Sequence, residues 1–497
     1  MSNPLRTLVL ARPALTVFLV VTAVYAALAG KRLLAPSPQF HFVDLAQSFL
    51  DGRLDTETPT RRSGDVDPAS APQGLREAVA RTERAGGWND WSSLRRLTLS
   101  DGQVIVGHFP WGHEETSRKQ LFHTRDGREF RVDVTKDLAR TCGLGGRARC
   151  DEREYFVSFP PFPAVALLPA VAVWGYDTND VLITVLLGGL NAVLLFWLLE
   201  LLVTRGHSRR SRGDNVVLSL AFAFGTVAFF SSVRGEVWFS ALIFGVALNI
   251  GFMMAALDLR YPALAGLLLG LGFATRTPIL FCGIFFGWQL LFPQNRWSRL
   301  GLRPRLMVGL RFAVPLAAVL ALLAWYNAAR FGDPGEFGHA FLSGGAGERV
   351  RTHGMFSFAY LNRNLLSALV AMPRLMGEAP YVMVSNHGIG MLATTPFLFL
   401  LLWPAARPPL RVALWLAVAC AAVPGLFYQN TGWVQFGFRF ALDYLPYLFA
   451  LFAISDRKLD RTFLVLVVIA IVVNLFGAVT FGRHPQFYYE TLLPGAT

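Results

Sequence analysis

The sequence predicts an all-α polytopic membrane protein of about eleven transmembrane helices, with a large mixed α/β extracytoplasmic loop after the first. Three observations predict it. Of the 497 residues 53% are hydrophobic and only 16% charged, with a mean hydropathy of +0.42, where a soluble domain carries about 25% charged residues. Apolar stretches at 181–203, 216–230 and 463–481 approach or exceed the roughly 20 residues that cross a hydrocarbon core. The positive charge is also unevenly spread. Residues 36–160 hold 19 of the 33 acids and 18 of the 46 bases, leaving 14 acids against 28 bases elsewhere, in short links between apolar segments. The net charge of +13 thus reads as positive-inside bias and not as a nucleic-acid-binding face.

Taken in order, residues 1–35 form an anchor. Arg6 and Arg12 precede the apolar run 14–30, and Lys31-Arg32 and a proline follow it without a small-residue cleavage site, so the segment reads as an uncleaved first helix. Basic clusters at 205–212, 296–311, at Arg407 with Arg411, and at 457–461 all fall on one side if that helix runs outward. Residues 36–160 then lie outside. Within them, 39–50 reads as a short amphipathic helix with Phe42, Leu45, Phe49 and Leu50 on one face, fit to lie along the membrane surface. Residues 57–74 read as a linker, and 97–109 and 129–134 as strands around Asp-Gly turns.

The apolar piece 161–175 is about two-thirds of a spanning length and opens Phe-Pro-Pro-Phe-Pro, so it reads as juxtamembrane, within a bundle region 161–330. The other crossings are expected near 181–203, 215–232, 237–257, 262–275, 277–293, 308–328, 388–404, 409–427, 440–454 and 462–481. The break at 274–278, Ala-Thr-Arg-Thr-Pro, makes two short helices of one pair, an arrangement that suits backbone lining a protein cavity. A second outer loop spans 331–387, with an amphipathic, basic helix at 356–376, and helices of 388–497 close the chain.

Cysteine usage points the same way. Cys282 and Cys420 lie in apolar segments, where a thiol behaves as a small hydrophobe. Cys142 and Cys150 flank a glycine-rich stretch of the first loop and suit a small disulfide ring in an oxidising compartment. A zinc pair there lacks further ligands at zinc spacing.

Five stretches, in order, resemble the GT-C class of polyprenyl-phosphate-sugar-dependent membrane glycosyltransferases, which includes protein mannosyltransferases and the aminoarabinose transferases of lipid A. They are HFVDLAQSFLDGRLD (41–55), FPPFP (159–163), LAGLLLGLGFATRTP (264–278), YNAARFGDP (326–334) and GFRFALDYLP (437–446). The resemblance spans most of the chain. It implies a GT-C-like fold, a cell inner (plasma) membrane location with an extracytoplasmic active site, and transfer of a sugar from a lipid phosphate to an acceptor hydroxyl, with an aspartate of the first loop as base.

The residues offer the parts of that chemistry, since inverting transfer needs a carboxylate for the acceptor proton and a cation for the phosphate leaving group. Asp44 stands first for the base and Asp55 second. The competing reading of Asp44 is a solvated helix carboxylate, and Asp51-Gly52 is as well explained by a turn. Arg276, Arg330 and Arg439 are the candidates for the donor phosphate, because a guanidinium donates two parallel hydrogen bonds and stays charged. Asp443, four residues after Arg439, either neutralises it or lies with Glu236 near the sugar or acceptor. Glu236 is also explained by its place at a helix start.

Asp65 and Asp67 have the form of a metal–sugar-nucleotide motif but sit in a Pro- and Ser-rich linker. His108, His113 and Glu114 lack the geometry of a zinc site, and no metal residue is assigned, although a divalent cation fits the class. Trp111, Trp174, Trp433 and Tyr381 read as interfacial belts. The partners expected are a polyprenyl-phosphate sugar donor, membrane lipids and a glycan, lipid or protein acceptor, with no nucleic acid. A lipid-linked sugar flippase or transporter is the alternative, and a non-catalytic scaffold a third reading. Ionisable residues gathered at one face and the lack of repeat symmetry favour surface chemistry.

Overall fold

The computed structural model describes residues 12–56, 63–85, 91–109, 119–133, 136–137, 151–293, 301–342 and 347–492. The chain forms two compact units. One comprises Met1–Ala35, Asn179–Val319 and Phe356–Thr497, and the other Pro36–Thr178 with Leu320–Met355.

The first unit is helical and apolar. Among the described residues, six helices of the chain are long and apolar enough to cross a membrane: Pro13–Leu34, Asp180–Thr204, Val237–Leu259, Leu302–Phe331, Leu410–Phe427 and Arg461–Thr480. This is the architecture of a multi-pass membrane protein, in which helices satisfy their own backbone groups. The crossings expected at 262–275, 277–293 and 440–454 fall on shorter helices, Pro262–Phe273, Thr277–Leu291 and Leu445–Ile454. That at 215–232 is divided at Gly225–Val227 into Arg212–Phe224 and Ala228–Ser232. That at 388–404 holds a four-residue helix and the 3₁₀ run Pro396–Leu402.

Local sequence accounts for the ends. Ser211 accepts from Asp214 N–H while Asp214 accepts from Ser211 N–H, a capping box that starts Arg212–Phe224. Asp460 caps the last span through Phe463 N–H. At one end of this unit Ser208 and Arg210 donate to the carbonyls of Ala453 and Phe452 at 2.9 and 3.0 Å, tying the end of Asp180–Thr204 to the end of Leu445–Ile454. At another, Arg32 donates to Gly482 O at 2.8 Å and Arg483 to Ala29 O at 2.9 Å. The C-terminal ends of the first and last spans therefore meet.

The core of this unit is dense with aromatics, with Tyr25, Phe222, Phe230, Phe252, Phe285 and Tyr447 among its most buried side chains. Outward-facing Leu19, Val314, Val468 and Val472 are more than half exposed or nearly so, as lipid-facing positions require.

The segment 356–376 is not a continuous helix. It runs through a 3₁₀ turn, the short helix Leu361–Leu365 and a π turn to Val370, then extends into strand Arg374–Leu375. Pro373 stands just before that strand, and the residue before a proline is driven out of the α region.

The second unit is built on a five-stranded antiparallel sheet, β1 (Trp91–Thr98), β2 (Val104–His108), β3 (Lys119–Thr124), β4 (Glu129–Asp133) and β5 (Asp151–Val157), in the order β4-β3-β2-β1-β5. The strands expected at 97–109 and 129–134 are thus parts of a larger sheet, and its strand β1 starts earlier, at Trp91. Leu97, Ile105, Phe122 and Val132 fill one buried cluster, and Leu94, Phe156, Phe331 and Phe341 a second. Phe162–Trp174, a 13-residue helix with Pro169 inside, belongs to this unit and not to the spanning bundle. The unit thus reaches Thr178 where a boundary at 160 was expected, and it takes in 320–355.

Candidate functional site

Asp44 lies on the helix His41–Leu50, which the chain enters shortly after the first span. The first two turns are buried on every side, His41, Phe42, Val43, Asp44, Leu45 and Ala46 included, so they leave no apolar face free for a membrane surface. The reading of Asp44 as a solvated carboxylate is overturned with it: the residue is 0% exposed. Its two oxygens are held separately. Trp91 Nε1 donates to Oδ2 at 2.8 Å and Tyr176 Oη donates to Oδ1 at 2.7 Å. A buried carboxylate is tolerated only with such donors.

Aromatic side chains fix the donors in turn. His41 stacks on Trp91 with ring centroids 3.4 Å apart, and Phe40 meets both Trp91 and Tyr176 edge-on. Burial pushes the His41 imidazole down to about 3, so it is neutral at physiological pH.

Tyr176 follows the helix Phe162–Trp174, where the chain turns at Gly175 with φ +53° and Tyr176 N–H donates to Gln73 O. Trp91 opens β1, opposite Val157 of β5, and the carbonyl of Val157 receives Arg330 Nη1 at 2.8 Å. Arg330 is therefore not a free phosphate ligand at a helix end. Its guanidinium is buried over the Tyr326 ring at 3.9 Å and bonded to Asn327, so it braces β5, the strand paired with the one that carries Trp91.

Asp55 is different in kind. It is half-exposed beside Arg53 at 3.4 Å, which also reaches Asp51, while the next residue, Thr56, bridges to Tyr155.

In the membrane unit the candidates are paired otherwise than their spacing implied. Arg276 holds Asp443 by a two-pronged ion pair, Nε to Oδ1 at 3.1 Å and Nη2 to Oδ2 at 2.7 Å. Asp443 does not neutralise Arg439, and its carboxylate serves Arg276 instead. Arg276 stands at the break after Phe273, where its backbone is extended, φ −146° and ψ 112°. Asp443 also anchors a polar set, its carbonyl accepting from Asn249 Nδ2 at 2.7 Å while Asn249 Oδ1 accepts from Tyr447 Oη. Arg439 is buried against Phe239 and Phe440, donates to Val434 O at 3.2 Å through its guanidinium, and donates its backbone N–H to Gln435 Oε1 at 2.9 Å.

Glu236 precedes the helix Val237–Ala256 but caps nothing with its side chain. It forms a two-pronged pair with Arg234, which also donates to Phe481 O. Burial works against its ionisation, and Arg234 with Arg32 outweighs that and holds the carboxyl below the usual range.

The remaining sequence candidates fall away or lie elsewhere. Asp67 accepts from Ala69 N–H and Ser70 Oγ, which makes it a turn residue. His108 is packed between Phe341 and His123. His113, Glu114, Trp111, Cys142 and Cys150 lie outside the described residues. Among the described residues, no three His, Cys, Asp or Glu side chains gather as a metal site would need. Trp174, Trp433 and Tyr381 are 55%, 41% and 62% exposed. Sequence reasoning missed His41, Trp91, Tyr176 and Arg234; only Arg234-Gly-Glu236, with opposite charges two apart at a span entry, carried a local signal. No family model, no curated protein and no solved structure matches this chain.

Proposed function

We propose that this protein is a GT-C-like glycosyltransferase of the inner (plasma) membrane, moving a sugar from a polyprenyl-phosphate donor to an acceptor hydroxyl on the extracytoplasmic face. The shorter apolar helices complete about eleven crossings in this reading. The observation that carries it is Asp44: a carboxylate with no exposed surface, placed soon after the first span, with each oxygen held by a neutral donor. Donors so placed fix the direction of the lone pairs, which is what a general base needs.

In the reaction Asp44 takes the acceptor's hydroxyl proton as that oxygen bonds to the anomeric carbon. The anomeric carbon–oxygen bond to the phosphate breaks, and polyprenyl phosphate leaves with the electron pair. A cation at the phosphate lowers the barrier by meeting charge as it develops.

The test is consumption of a panel of radiolabelled polyprenyl-phosphate sugars by the purified protein in lipid, wild type against Asp44→Asn. Asparagine can offer Oδ1 to Trp91 and Nδ2 to the Tyr176 oxygen, so it keeps both contacts while losing basicity. A fall of about 10²- to 10⁴-fold is expected. Full transfer by Asp44→Asn and Asp55→Asn alike would remove the base assignment.

One observation favours the rival reading, a lipid-linked sugar flippase: the Arg276–Asp443 pair is an ionisable pair inside the apolar bundle. Under that reading no donor is consumed, and Asp443→Asn abolishes lipid movement while Asp44→Asn leaves it intact.

A further inference from the structure

We propose that Arg32, Arg234 and Arg483 form an anion site where the first and last spans end, and that its ligand is the phosphate of an anionic phospholipid headgroup. The proposal goes beyond the glycosyl-transfer reading and does not depend on it.

Three stretches of the membrane unit converge here: the end of Pro13–Leu34, the turn before Val237, and the turn after Thr480. Arg32 Nη2 donates to Gly482 O at 2.8 Å and reaches Phe481 O at 3.4 Å, and Arg234 Nη1 donates to that same Phe481 oxygen at 3.2 Å. Two guanidiniums sharing one carbonyl oxygen stand close enough for a single phosphate to touch both. Arg483 reaches back to the Leu28 and Ala29 carbonyls.

The charged groups acting on Arg32 are Arg234, Glu236 and Arg483, so one carboxylate faces three cations. That carboxylate is already bound to Arg234. Arg32 Nη1 is shut off from water and, among the described residues, has no hydrogen-bond partner. A buried donor left open in a like-charged cluster is costly unless an acceptor comes to it. The turn is shaped around these groups, since Gly482 has φ +65° and a side chain there would strike the Arg234 guanidinium.

The position decides the source of the phosphate. The site lies at the ends of two helices of spanning length, the level at which headgroups lie. The same two helices turn exposed apolar residues outward, Leu19, Val20 and Leu34 on the first and Val472 and Val479 on the last. These suit acyl chains below a bound headgroup, and arginine is the side chain that grips phosphate by two bonds at once.

The experiment uses the full chain in neutral detergent, probed separately with phosphatidylglycerol, phosphatidylcholine and inorganic phosphate, read by melting temperature and by lipid retained in native mass spectrometry. Phosphatidylglycerol should raise the melting temperature and remain bound, with phosphatidylcholine and inorganic phosphate well behind. Arg32→Gln with Arg483→Gln should weaken phosphatidylglycerol at least tenfold, and Arg457→Gln, at the opposite ends of the helices, should not. Because the double variant can fail to fold, Arg32→Lys is measured beside it: it keeps the charge, loses the fork, and should still weaken retention several-fold. Equal retention of phosphatidylcholine, or unchanged affinity in both Arg32 variants, overturns the site. Inorganic phosphate matching the lipid overturns the headgroup assignment.

Discussion

Trp91 donates its indole N–H to Asp44 at 2.8 Å from 47 residues away, and Tyr176 donates to the other carboxylate oxygen from 132 away. Trp91→Phe keeps most of the ring and removes one donor from a buried anion. The expected cost is about 1.5–3 kcal/mol, the range for hydrogen bonds to charged groups. Tyr176→Phe should cost a similar amount. Denaturation of the detergent-solubilised single and double variants checks this, and because both donors serve one carboxylate their effects should not add. Additive losses would mean that the two residues act on stability by other routes.

The helix that carries Asp44 was legible in the sequence, because Phe42, Leu45 and Phe49 recur at helical spacing. The burial of its first two turns was not, since the groups that cover its polar face come from β1 and from the turn at Gly175. The sheet was half legible for a related reason: β5 reads Asp-Glu-Arg-Glu-Tyr-Phe-Val, and charge at its start hides the alternation that marked 97–109. The pairing of Asp443 failed on local geometry. Four residues share a face on an α-helix, but Arg439–Asp443 is a 3₁₀ run, where residues three apart align. The long apolar spans, by contrast, were plain, because lipid exposure leaves hydropathy little room to vary.

Arg276 and Asp443 show what that misplaced pairing concealed. Asp443 is 3% exposed at its side chain and Arg276 16%, so removing either charge strands the other in an apolar bundle. Asp443→Asn is expected to destabilise the protein by about 3–5 kcal/mol. Arg276→Gln with Asp443→Asn should recover part of the loss, since no lone charge is left. Melting temperatures of the two single variants and the double variant decide it: a double variant as unstable as the sum of the singles would show that the pair contributes no coupling.

The second unit should lose stability in acid. Burial holds the His41 imidazole down to about 3, and burial with the neighbouring His123 holds His108 down to about 4, against about 6.5 in an unfolded chain. Between those values the unfolded chain binds protons that the folded one refuses, so stability is full above about pH 6.5 and falls as pH drops toward 4. The slope is up to about 1.4 kcal/mol per pH unit for each histidine. Melting temperatures taken at half-unit steps from pH 8 to 4.5 should decline below 6.5, and His41→Phe, which keeps a ring against Trp91, should make the decline shallower. A flat profile in the wild type would contradict the buried, neutral state of both rings.

Helix packing in the membrane unit makes the last prediction. Gly266 and Gly270 lie four apart on Pro262–Phe273, the spacing that lets two helices approach at their backbones. At Gly266 an added Cβ would strike the Phe312 carbonyl oxygen of the helix Leu302–Phe331, whereas at Gly270 it would meet the Val319 side chain at 2.9 Å. A carbonyl inside a hydrogen-bonded helix cannot turn aside, but a valine can shift against its neighbours. Gly266→Ala should therefore separate the helices and cost about 1–3 kcal/mol, with Gly270→Ala the milder of the two. Replacing both by leucine should prevent the close approach altogether. The order of melting temperatures, wild type above Gly270→Ala above Gly266→Ala, tests the geometry directly, and the reverse order would place the point of contact nearer the broken end at Phe273 than the start of the helix.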